Sequence, residues 1–567
     1  MVDEEKRTNE ALDASKKYNT VVEEANDYIE HFDILETITN VGNDEVFTPR
    51  KTCDMMLDSL PEEVWHNPDY KWLNPATKNG IFEREIALRL DKGLEEVITN
   101  KEERRKHILQ NMIFSIGQTK FTSNVARRTL YYCSQANRKC DGLKASDGHY
   151  VNGYSIGNGS WFDNEEGNVK TPCTDHQIDP KSKKCIFCGL GNDSKYLDAN
   201  QREKYAYEFI HVRSGLSINV HLSKRFFGGN KNMKFDIIIG NPPYQLSTSG
   251  SVESQAVPIY QKFIDQARQL NPKYLCMIVP SRWMIGGFAL DDFRDSMIGD
   301  THLSLLHDFM SSNEVFPTIS LAGGVCYFLW EREHDGPCKF VSHRDDGKIV
   351  ESTRYLKIDG VDTVIRYEEA TSILKKVLGR KEKTFDEIVS QRDPYGLNYF
   401  ENGHENMFKN FWKEKKDGNL KIYSFGWKKD GVNYTDSKFV TTNKESINQF
   451  KVFISKANGA ASSKAPYSVL SEPFVGEPGS ICNMTYLLIG GFATDEQATN
   501  CCSYIKTKFF RFLVSLLKNT QNAYRKVYSF VPVQDFNKKW TDEMLFEKYN
   551  LTKQETLFIE NLIKEML

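Results

Sequence analysis

The chain has 567 residues, of which 40% are hydrophobic and 27% charged, and its formal net charge is −3. These values describe a globular protein of several domains and exclude a uniformly basic surface that would attract any phosphate backbone. No apolar run approaches the ~20 residues that span a bilayer, and the N-terminus lacks the apolar core of a secretory leader, so we expect no membrane partner and a cytoplasmic location.

The predicted elements begin with an N-terminal helical segment and continue into a large α/β region. Residues 1–40 carry apolar positions at helical spacing. From residue 41 to 380, short apolar runs typical of buried strands alternate with amphipathic helices, which indicates a mostly parallel sheet covered by helices. These runs are 70–73, 111–116, 235–239, 274–279 and 325–330.

Two further parts interrupt or follow this alternation. Residues 133–200 are rich in Gly, Asn, Asp, Ser and clustered cysteines, which predicts an inserted module. Residues 381–567 are irregular and rich in Lys, Asn and aromatic side chains before a final amphipathic helix at 553–566, which predicts a separate domain. Residues 401–567 carry 23 basic and 18 acidic side chains, and this small excess also fits an ordinary solvated surface.

The cysteines indicate a metal site rather than disulfides, because a reducing compartment keeps thiols free. A Cys-x-x-His pair and a following Cys-x-x-Cys-Gly knuckle have the short spacing of a tetrahedral zinc site. The first pair is the weaker one, since Cys133 or Cys140 could replace Cys173, and free thiols in a loop are the alternative. Four of the following residues are predicted to bind a structural zinc: Cys133, Cys173, His176, Cys185 and Cys188.

The run Asn241-Pro242-Pro243-Tyr244 directly follows the buried run 235–239 and a glycine. Ligands of an open α/β sheet bind at this carboxyl end of the strands. Methylation of an aromatic amine requires its delocalised lone pair to localise on nitrogen, and two acceptors aimed at the N–H bonds favour that form. The Asn241 side-chain oxygen and the Pro242 carbonyl can supply them, while Tyr244 can stack on the aromatic ring. A proline turn with a packing tyrosine is the alternative.

These four residues resemble the signature of the gamma-class adenine-N6 DNA methyltransferases of bacterial restriction-modification systems, of the type II or IIG kind. Residues 74–82 are similar to the family's Asp-Pro-Ala-x-x-x-Gly-x-Phe loop, and residues 47–49 to its N-terminal motif. In the family both segments hold S-adenosylmethionine. The resemblance implies these cofactor-binding residues: Phe47, Thr48, Pro49, Asn74, Pro75, Ala76, Gly80 and Phe82.

Some positions depart from the family pattern. Asn74 replaces the usual acid, Lys78 replaces a small residue, and the segment 117–119 lacks the acid that binds the ribose hydroxyls, so the ribose ligand stays unassigned. A late family motif with a Phe that stacks on a flipped adenine resembles Val315-Phe316-Pro317, although a core-packed loop Phe is the alternative. The implied catalytic residues are Asn241, Pro242, Pro243, Tyr244 and Phe316.

The resemblance implies an α/β fold with a Rossmann-like methyltransferase sheet, an inserted zinc-binding module and a C-terminal α+β target-recognition domain. It implies site-specific methyl transfer from S-adenosylmethionine to N6 of a flipped adenine in double-stranded DNA, with a separately encoded restriction endonuclease as a partner. Arg525 and Lys526 could read bases and phosphates in the last domain. Methylation of RNA adenine or protein glutamine, and a DNA-binding homologue impaired in catalysis, are the alternatives.

Overall fold

The fold is given by a computed structural model. The residues that it describes are 35, 46–131, 135–137, 161–172, 174, 176–189, 205–211, 227, 233–245, 257–287, 289–317, 319, 321–397, 399–401, 404–406, 410–457, 465–518 and 521–566. Most of the predicted N-terminal helical segment, together with Cys133, Cys140 and Cys173, lies outside them.

The largest sheet in the described part of the chain has nine strands. They are β1 Trp72–Thr77, β2 Ile113–Gly117, β3 Val169–Lys170, β4 Ile237–Gly240, β5 Tyr274–Pro280, β6 Leu303–Phe309, β7 Val325–Glu331, β8 Cys338–His343 and β9 Ile349–Arg354. Their order is β3-β2-β1-β4-β5-β7-β6-β8-β9. The first five strands in this order pair in parallel, whereas β7 runs antiparallel to β5 and β6. The predicted α/β fold with a mostly parallel sheet is confirmed.

Helices cover both faces of this sheet. They are α1 Arg50–Asp58, α2 Ile81–Gly93, α3 Lys101–His107, α4 Lys120–Tyr131, α5 Tyr260–Gln269 and α6 Asp291–Ile298, with short 3-10 or π segments at Glu62–Trp65, Ile108–Met112, Tyr205–Ile210, Ser281–Met284 and Ser312–Glu314. Strand β4 shows why the sheet is covered twice. Ile238 packs in one apolar core with α5, while Ile237 and Ile239 pack in the other with α1 and α2. A strand that is buried on both faces has a continuous run of apolar residues in its sequence, and residues 237–239 are such a run.

The residues after this sheet form smaller sheets and helices. The strands are β10 Tyr399–Glu401, β11 His404–Asn406, β12 Asn419–Tyr423, β13 Asn433–Asp436, β14 Phe450–Ser455, β15 Phe474–Gly476, β16 Ser480–Cys482 and β17 Tyr486–Phe492, and the helices are α7 Glu368–Leu378, α8 Trp427–Asp430, α9 Asp495–Lys506, α10 Lys508–Ser515, α11 Asp542–Lys548 and α12 Lys553–Leu562. Helix α7 precedes residue 381, yet its Ile373 and Leu374 pack in the same core as α9 and α10. The domain bounds stay a prediction.

The predicted C-terminal helix is present as α12, and its N-terminus is fixed by a capping box. The Thr552 hydroxyl accepts from the Glu555 backbone N–H, and the Glu555 side chain accepts from the Thr552 N–H. No helix in the described part of the chain is both long and apolar enough to cross a bilayer.

Candidate active site

The segment 241–244 leaves the carboxyl end of β4, and its Asn241 side chain is held in one orientation. Asn241 is only 3% exposed. Its Nδ2 atom donates to the Val46 carbonyl at 3.2 Å and to the Thr48 Oγ1 at 3.1 Å. Its Oδ1 atom has no hydrogen-bond partner among the described residues. Because both acceptors bind the nitrogen, the amide oxygen is left as a buried acceptor.

Two aromatic side chains of the predicted site lie next to each other. Tyr244 and Phe316 are both buried, and their ring centroids lie 6.5 Å apart with an interplanar angle of 68°. The Phe316 loop is tied to α1 because the Thr52 hydroxyl donates to the Val315 carbonyl at 3.2 Å. Burial raises the pKa of the Tyr244 hydroxyl well above its ordinary value, so this group stays a neutral phenol. The rings meet edge to face, so they fill the space between them.

A carboxyl group that the sequence interpretation missed lies under the loop between β1 and α2. The Glu83 Oε1 atom accepts from Asn74 Nδ2 at 2.9 Å and from Ser115 Oγ at 2.7 Å. Its Oε2 atom is buried and has no partner within the described ranges. Burial raises the pKa of Glu83. A carboxyl group in the first turn of α2 therefore lies within hydrogen-bond distance of the Asn74 side chain, which stands where the family pattern has an acid.

Gly80 is required by the turn and by packing. Its φ is +80°, in the left-handed region that favours glycine, and it stands at the N-cap of α2. A Cβ atom there would lie 2.9 Å from the Ala126 Cα atom in α4. Gly80 is one of the predicted cofactor-binding residues, and its observed close neighbour is helix α4.

A small cavity joins the loop after β1 to the segment after β4. Six of the predicted residues share it, namely Thr48, Asn74, Ala76, Gly80, Phe82 and Asn241, and Thr77, Lys78, Asn79, Ile81 and Glu83 complete its lining. Phe47, Pro49 and Pro75 are close in the chain but do not line it. The Lys78 Nζ atom donates to the Val46 carbonyl at 2.9 Å, which also binds Asn241. The lysine that departs from the family pattern therefore helps to fix the segment that orients Asn241.

Gln118 directly follows β2, where the family has its ribose-binding acid. Its side chain is fully buried, and neither amide atom has a hydrogen-bond partner among the residues that the structure describes. Its backbone N–H donates to the Thr77 carbonyl at 2.9 Å, which links β2 to the loop after β1. The ribose ligand stays unassigned.

The structure brings together three of the five candidate zinc ligands. His176, Cys185 and Cys188 lie in one cluster, whose fourth member is His211. His211 was absent from the sequence prediction, while the predicted Cys133 and Cys173 lie outside the described residues.

The two candidate DNA-reading residues of the C-terminal part are engaged within the protein. Arg525 Nε donates to the Asp386 carbonyl at 2.8 Å. Lys526 Nζ lies 3.3 Å from Asp362 Oδ2 and 3.9 Å from Asp291 Oδ1. A carboxylate pair disfavours a phosphate at the same position, so Lys526 is a poor candidate for a phosphate contact.

A mostly parallel sheet with a buried, oriented amide oxygen at the carboxyl end of a central strand fits the class of methyltransferases that act on amino groups. Residues 111–316 match the model of the family "Eco57I restriction-modification methylase". A protein of Mycoplasma pneumoniae (strain ATCC 29342 / M129 / Subtype 1), described as an uncharacterized adenine-specific methylase, is 50% identical over 311 residues, which cover 54% of this chain and 71% of that protein. The chain belongs to the family of adenine-specific methylases of restriction-modification type, and the resemblance based on residues 241–244 is confirmed.

Two solved structures of DNA complexes are also similar to the chain. The type IIL restriction-modification enzyme MmeI in complex with DNA has a TM-score of 0.43 and 11% identity, and the match covers 83% of this chain and 64% of that one. The DrdV–DNA complex has a TM-score of 0.43 and 11% identity, with 87% of this chain and 56% of the other covered. The chain thus spans less than two thirds of each of these proteins.

Proposed function

We propose that the chain transfers a methyl group from S-adenosylmethionine to N6 of adenine in one sequence context of double-stranded DNA, as the modification enzyme of a restriction-modification system. The observation that carries this proposal is the Asn241 amide, whose Oδ1 atom is buried and lacks a partner among the described residues while its Nδ2 atom is bound twice. A cytoplasmic location and a separately encoded restriction endonuclease belong to the same proposal.

The proposed chemistry places two acceptors on the amino group of the base. Asn241 Oδ1 and the Pro242 carbonyl each accept a hydrogen bond from one of its two N–H groups. These hydrogen bonds favour the localised lone pair and stabilise the positive charge that develops on N6 in the transition state. Consecutive prolines fix φ near −65° and hold the Pro242 carbonyl in place. S-adenosylmethionine, when bound, supplies the methyl group from its sulfonium sulfur.

The lining of the cavity next to Asn241 suits the cationic groups of the cofactor, and the cavity, of about 10 Å³, must widen to admit them. S-adenosylmethionine carries a sulfonium and an ammonium group, and the buried Glu83 carboxyl in the lining has an Oε2 atom without a partner in the described part of the chain. A buried carboxylate is costly unless donors or a cation reach it, and the donors Asn74 and Ser115 reach only Oε1. Glu83 therefore joins the residues proposed to hold the cofactor.

Tyr244 and Phe316 are proposed to hold a flipped adenine between them. Stacking on both faces of a base requires two nearly parallel rings, and the rings here stand at 68° to each other. One ring must therefore rotate when the base enters, and the contact between the rings is lost in exchange for two contacts with the base.

Residues 381–567 are proposed to recognise the DNA sequence. A cleft between the large sheet and these residues is lined by Arg366 and Met310 on one side and by Tyr467, Lys518 and Gln521 on the other. A lysine and an amide in a cleft suit phosphate and base-edge contacts. The insertion is proposed to bind a structural zinc through His176, Cys185 and Cys188, and this metal takes no part in methyl transfer.

Three substrates separate this function from its alternatives. The purified chain is incubated with methyl-labelled S-adenosylmethionine and, in turn, mixed-sequence duplex DNA, total RNA and glutamine-containing peptides. Label is expected in DNA alone, and modification-sensitive sequencing should place N6-methyladenine in one sequence context. Label in RNA or peptide instead of DNA would favour the alternatives, and an absence of both label and cofactor binding would indicate a catalytically impaired homologue.

Gly240→Ala tests whether the loop after β1 and the segment after β4 must touch. A Cβ atom at position 240 would lie 2.5 Å from Asn74 Oδ1, so either the Asn74 side chain or the backbone that leads into Asn241 must shift. We expect about a 100-fold loss of kcat/KM, since a displacement of roughly 1 Å at a reacting group has that effect, and a loss of roughly 1–3 kcal/mol in the free energy of unfolding.

Gly336→Ala is the matched control for this variant. A Cβ atom there would lie 3.4 Å from the His334 ring, an ordinary contact. Methylation assays and thermal unfolding of both variants provide the comparison. Wild-type activity of Gly240→Ala would contradict the proposed contact between the two loops.

A further inference from the structure

Four side chains meet where the Cys-rich insertion contacts the large sheet. The ligand atoms of His176, Cys185, Cys188 and His211 all lie within 4.8 Å of one another. Cys185, Cys188 and His211 are buried, and His176 is half-buried. We infer that His211 completes a Cys2His2 zinc site and that the metal ties the insertion to the methylase core. This inference rests on the zinc of the proposed function and is independent of methyl transfer.

The distances within the cluster match those of a tetrahedral zinc site. Cys185 Sγ lies 3.4 Å from His211 Nε2, and Cys188 Sγ lies 3.5 Å from His176 Nδ1. Zinc bonds of about 2.3 Å to sulfur and 2.0–2.1 Å to nitrogen place such atoms about 3.5 Å apart across a tetrahedron. Two separate thiol–imidazole hydrogen bonds would explain the two short distances. They would not require all four ligand atoms to lie within 4.8 Å of one another, as these atoms do.

A hydrogen bond outside the cluster points His211 at the metal position. Its Nδ1 atom is bonded to the Tyr207 carbonyl. A carbonyl only accepts, so Nδ1 carries the proton and Nε2 keeps its lone pair directed at Cys185. Metal-binding histidines commonly use one ring nitrogen in this way, since the outer hydrogen bond fixes both the tautomer and the orientation of the ring.

The backbone folds the two cysteines and His176 towards each other. Ile178 and Cys185 form an antiparallel bridge, and the Ile186 N–H donates to the Gln177 carbonyl at 2.9 Å. Gly189, with φ +83°, donates its N–H to the Cys185 carbonyl at 2.9 Å. The turn therefore presents both sulfur atoms of the Cys-x-x-Cys pair on one side, as a zinc knuckle does.

His211 belongs to a different part of the chain from the other three ligands. It follows the short helix Tyr205–Ile210, whose Tyr207 and Phe209 pack in the apolar core under β1 and α5. A second link joins the insertion to α5, because Lys262 donates a hydrogen bond to the carbonyl of Phe187, which lies between the two cysteines in the chain. A metal bound by all four residues therefore joins the insertion to the wall of the methylase sheet, and four protein ligands leave no position open for catalysis.

Metal content of full-length variants tests this assignment. The wild type, purified without chelator, is expected to contain about one zinc per chain. Cys185→Ser, Cys188→Ser and His211→Ala should each lose most of it and unfold at a lower temperature. His211→Cys should recover the metal, because a thiolate can replace the imidazole, and Cys133→Ser and Cys173→Ser should keep it. His334→Ala, a change at a half-buried histidine outside the cluster, is the control.

Cobalt keeps the test informative if His211→Ala does not fold. In His211→Cys loaded with Co²⁺, the thiolate-to-cobalt absorption should rise relative to the wild type, because the number of sulfur ligands increases from two to three. A wild type without zinc would overturn the metal itself. Zinc retained in His211→Ala but lost in Cys173→Ser, or an unchanged cobalt spectrum in His211→Cys, would overturn the role of His211. All of these readouts are independent of methylation activity.

Discussion

Asn241→Ala is expected to lower kcat for adenine methylation by about 100- to 1000-fold, the effect of removing one preorganised polar group from a transition state. In the wild type, the Asn241 amide is already oriented before the base binds, because its nitrogen is bound by Val46 and Thr48. Its oxygen is already buried and needs no further desolvation. Alanine removes the acceptor without adding a group that could clash. Single-turnover kinetics on duplex DNA should show the loss, while calorimetry should show unchanged binding of S-adenosylmethionine.

Thr48→Val supplies a graded comparison with this variant. It removes the hydroxyl oxygen that accepts from Asn241 Nδ2 at 3.1 Å, while the Val46 carbonyl still holds the same nitrogen. We expect about a 5- to 10-fold decrease in kcat, which corresponds to roughly 1 kcal/mol for one hydrogen bond. Equal rates for the wild type and Asn241→Ala would refute the role of the amide oxygen, whatever the result for Thr48→Val.

The strands that the sequence predicts correctly are those whose side chains face apolar cores. Strand β6 was not predicted, and its sequence explains why. His307 stacks on Tyr327 with ring centroids 4.6 Å apart, and the fully buried Asp308 is bound by Arg366 at 2.6 Å. These polar side chains are acceptable in a strand only because His343 of β8 forms a hydrogen bond with His307 at 3.0 Å and Arg366 pairs with Asp308. Such partners are not visible in a local pattern.

The candidate site divides in the same way. Asn241 and Tyr244 could be identified because a short motif follows a strand, so sequence order alone places them. Glu83 and His211 contact residues that only the fold brings near, Ser115 for the first and Cys185 for the second. An acidic residue in the first turn of a helix and a lone histidine are both common in sequences. Neither residue therefore indicates a functional site until the residue that it contacts is known.

Ionisation of Glu83 has opposite effects on the stability of the free protein and on the cofactor binding proposed above. Burial raises its pKa, so the folded chain holds the proton more tightly than the unfolded chain does. Ionised Glu83 therefore destabilises the free protein at pH values above the raised pKa, and this destabilisation disappears as the pH falls through that pKa towards the unfolded value. A cation that binds the carboxylate reverses the balance, so the affinity for S-adenosylmethionine should fall on acidification.

Glu83→Gln is expected to separate these two effects. The amide oxygen can still accept from Asn74 and Ser115, but the buried negative charge is gone. The melting temperature of the free protein at neutral pH should rise. Binding of S-adenosylmethionine should weaken by about 10- to 100-fold, which corresponds to the roughly 1.5–3 kcal/mol of a hydrogen bond to a charged group. Thermal unfolding and calorimetry between pH 5 and 8, the range in which proteins are usually most stable, measure both.

Glu85→Gln, two positions further along α2, is expected to have the opposite result. Glu85 is also buried, but it pairs with Arg84 at 2.7 Å and lies 3.6 Å from Arg50. Neutralising it removes a charge partner of the buried Arg84 guanidinium, which lowers the free energy of unfolding by about 3–5 kcal/mol, whereas cofactor affinity stays close to the wild type. If Glu83→Gln instead lowered the melting temperature and left cofactor affinity unchanged, Glu83 would be a structural acid like Glu85, and the cation would have to be held by another residue.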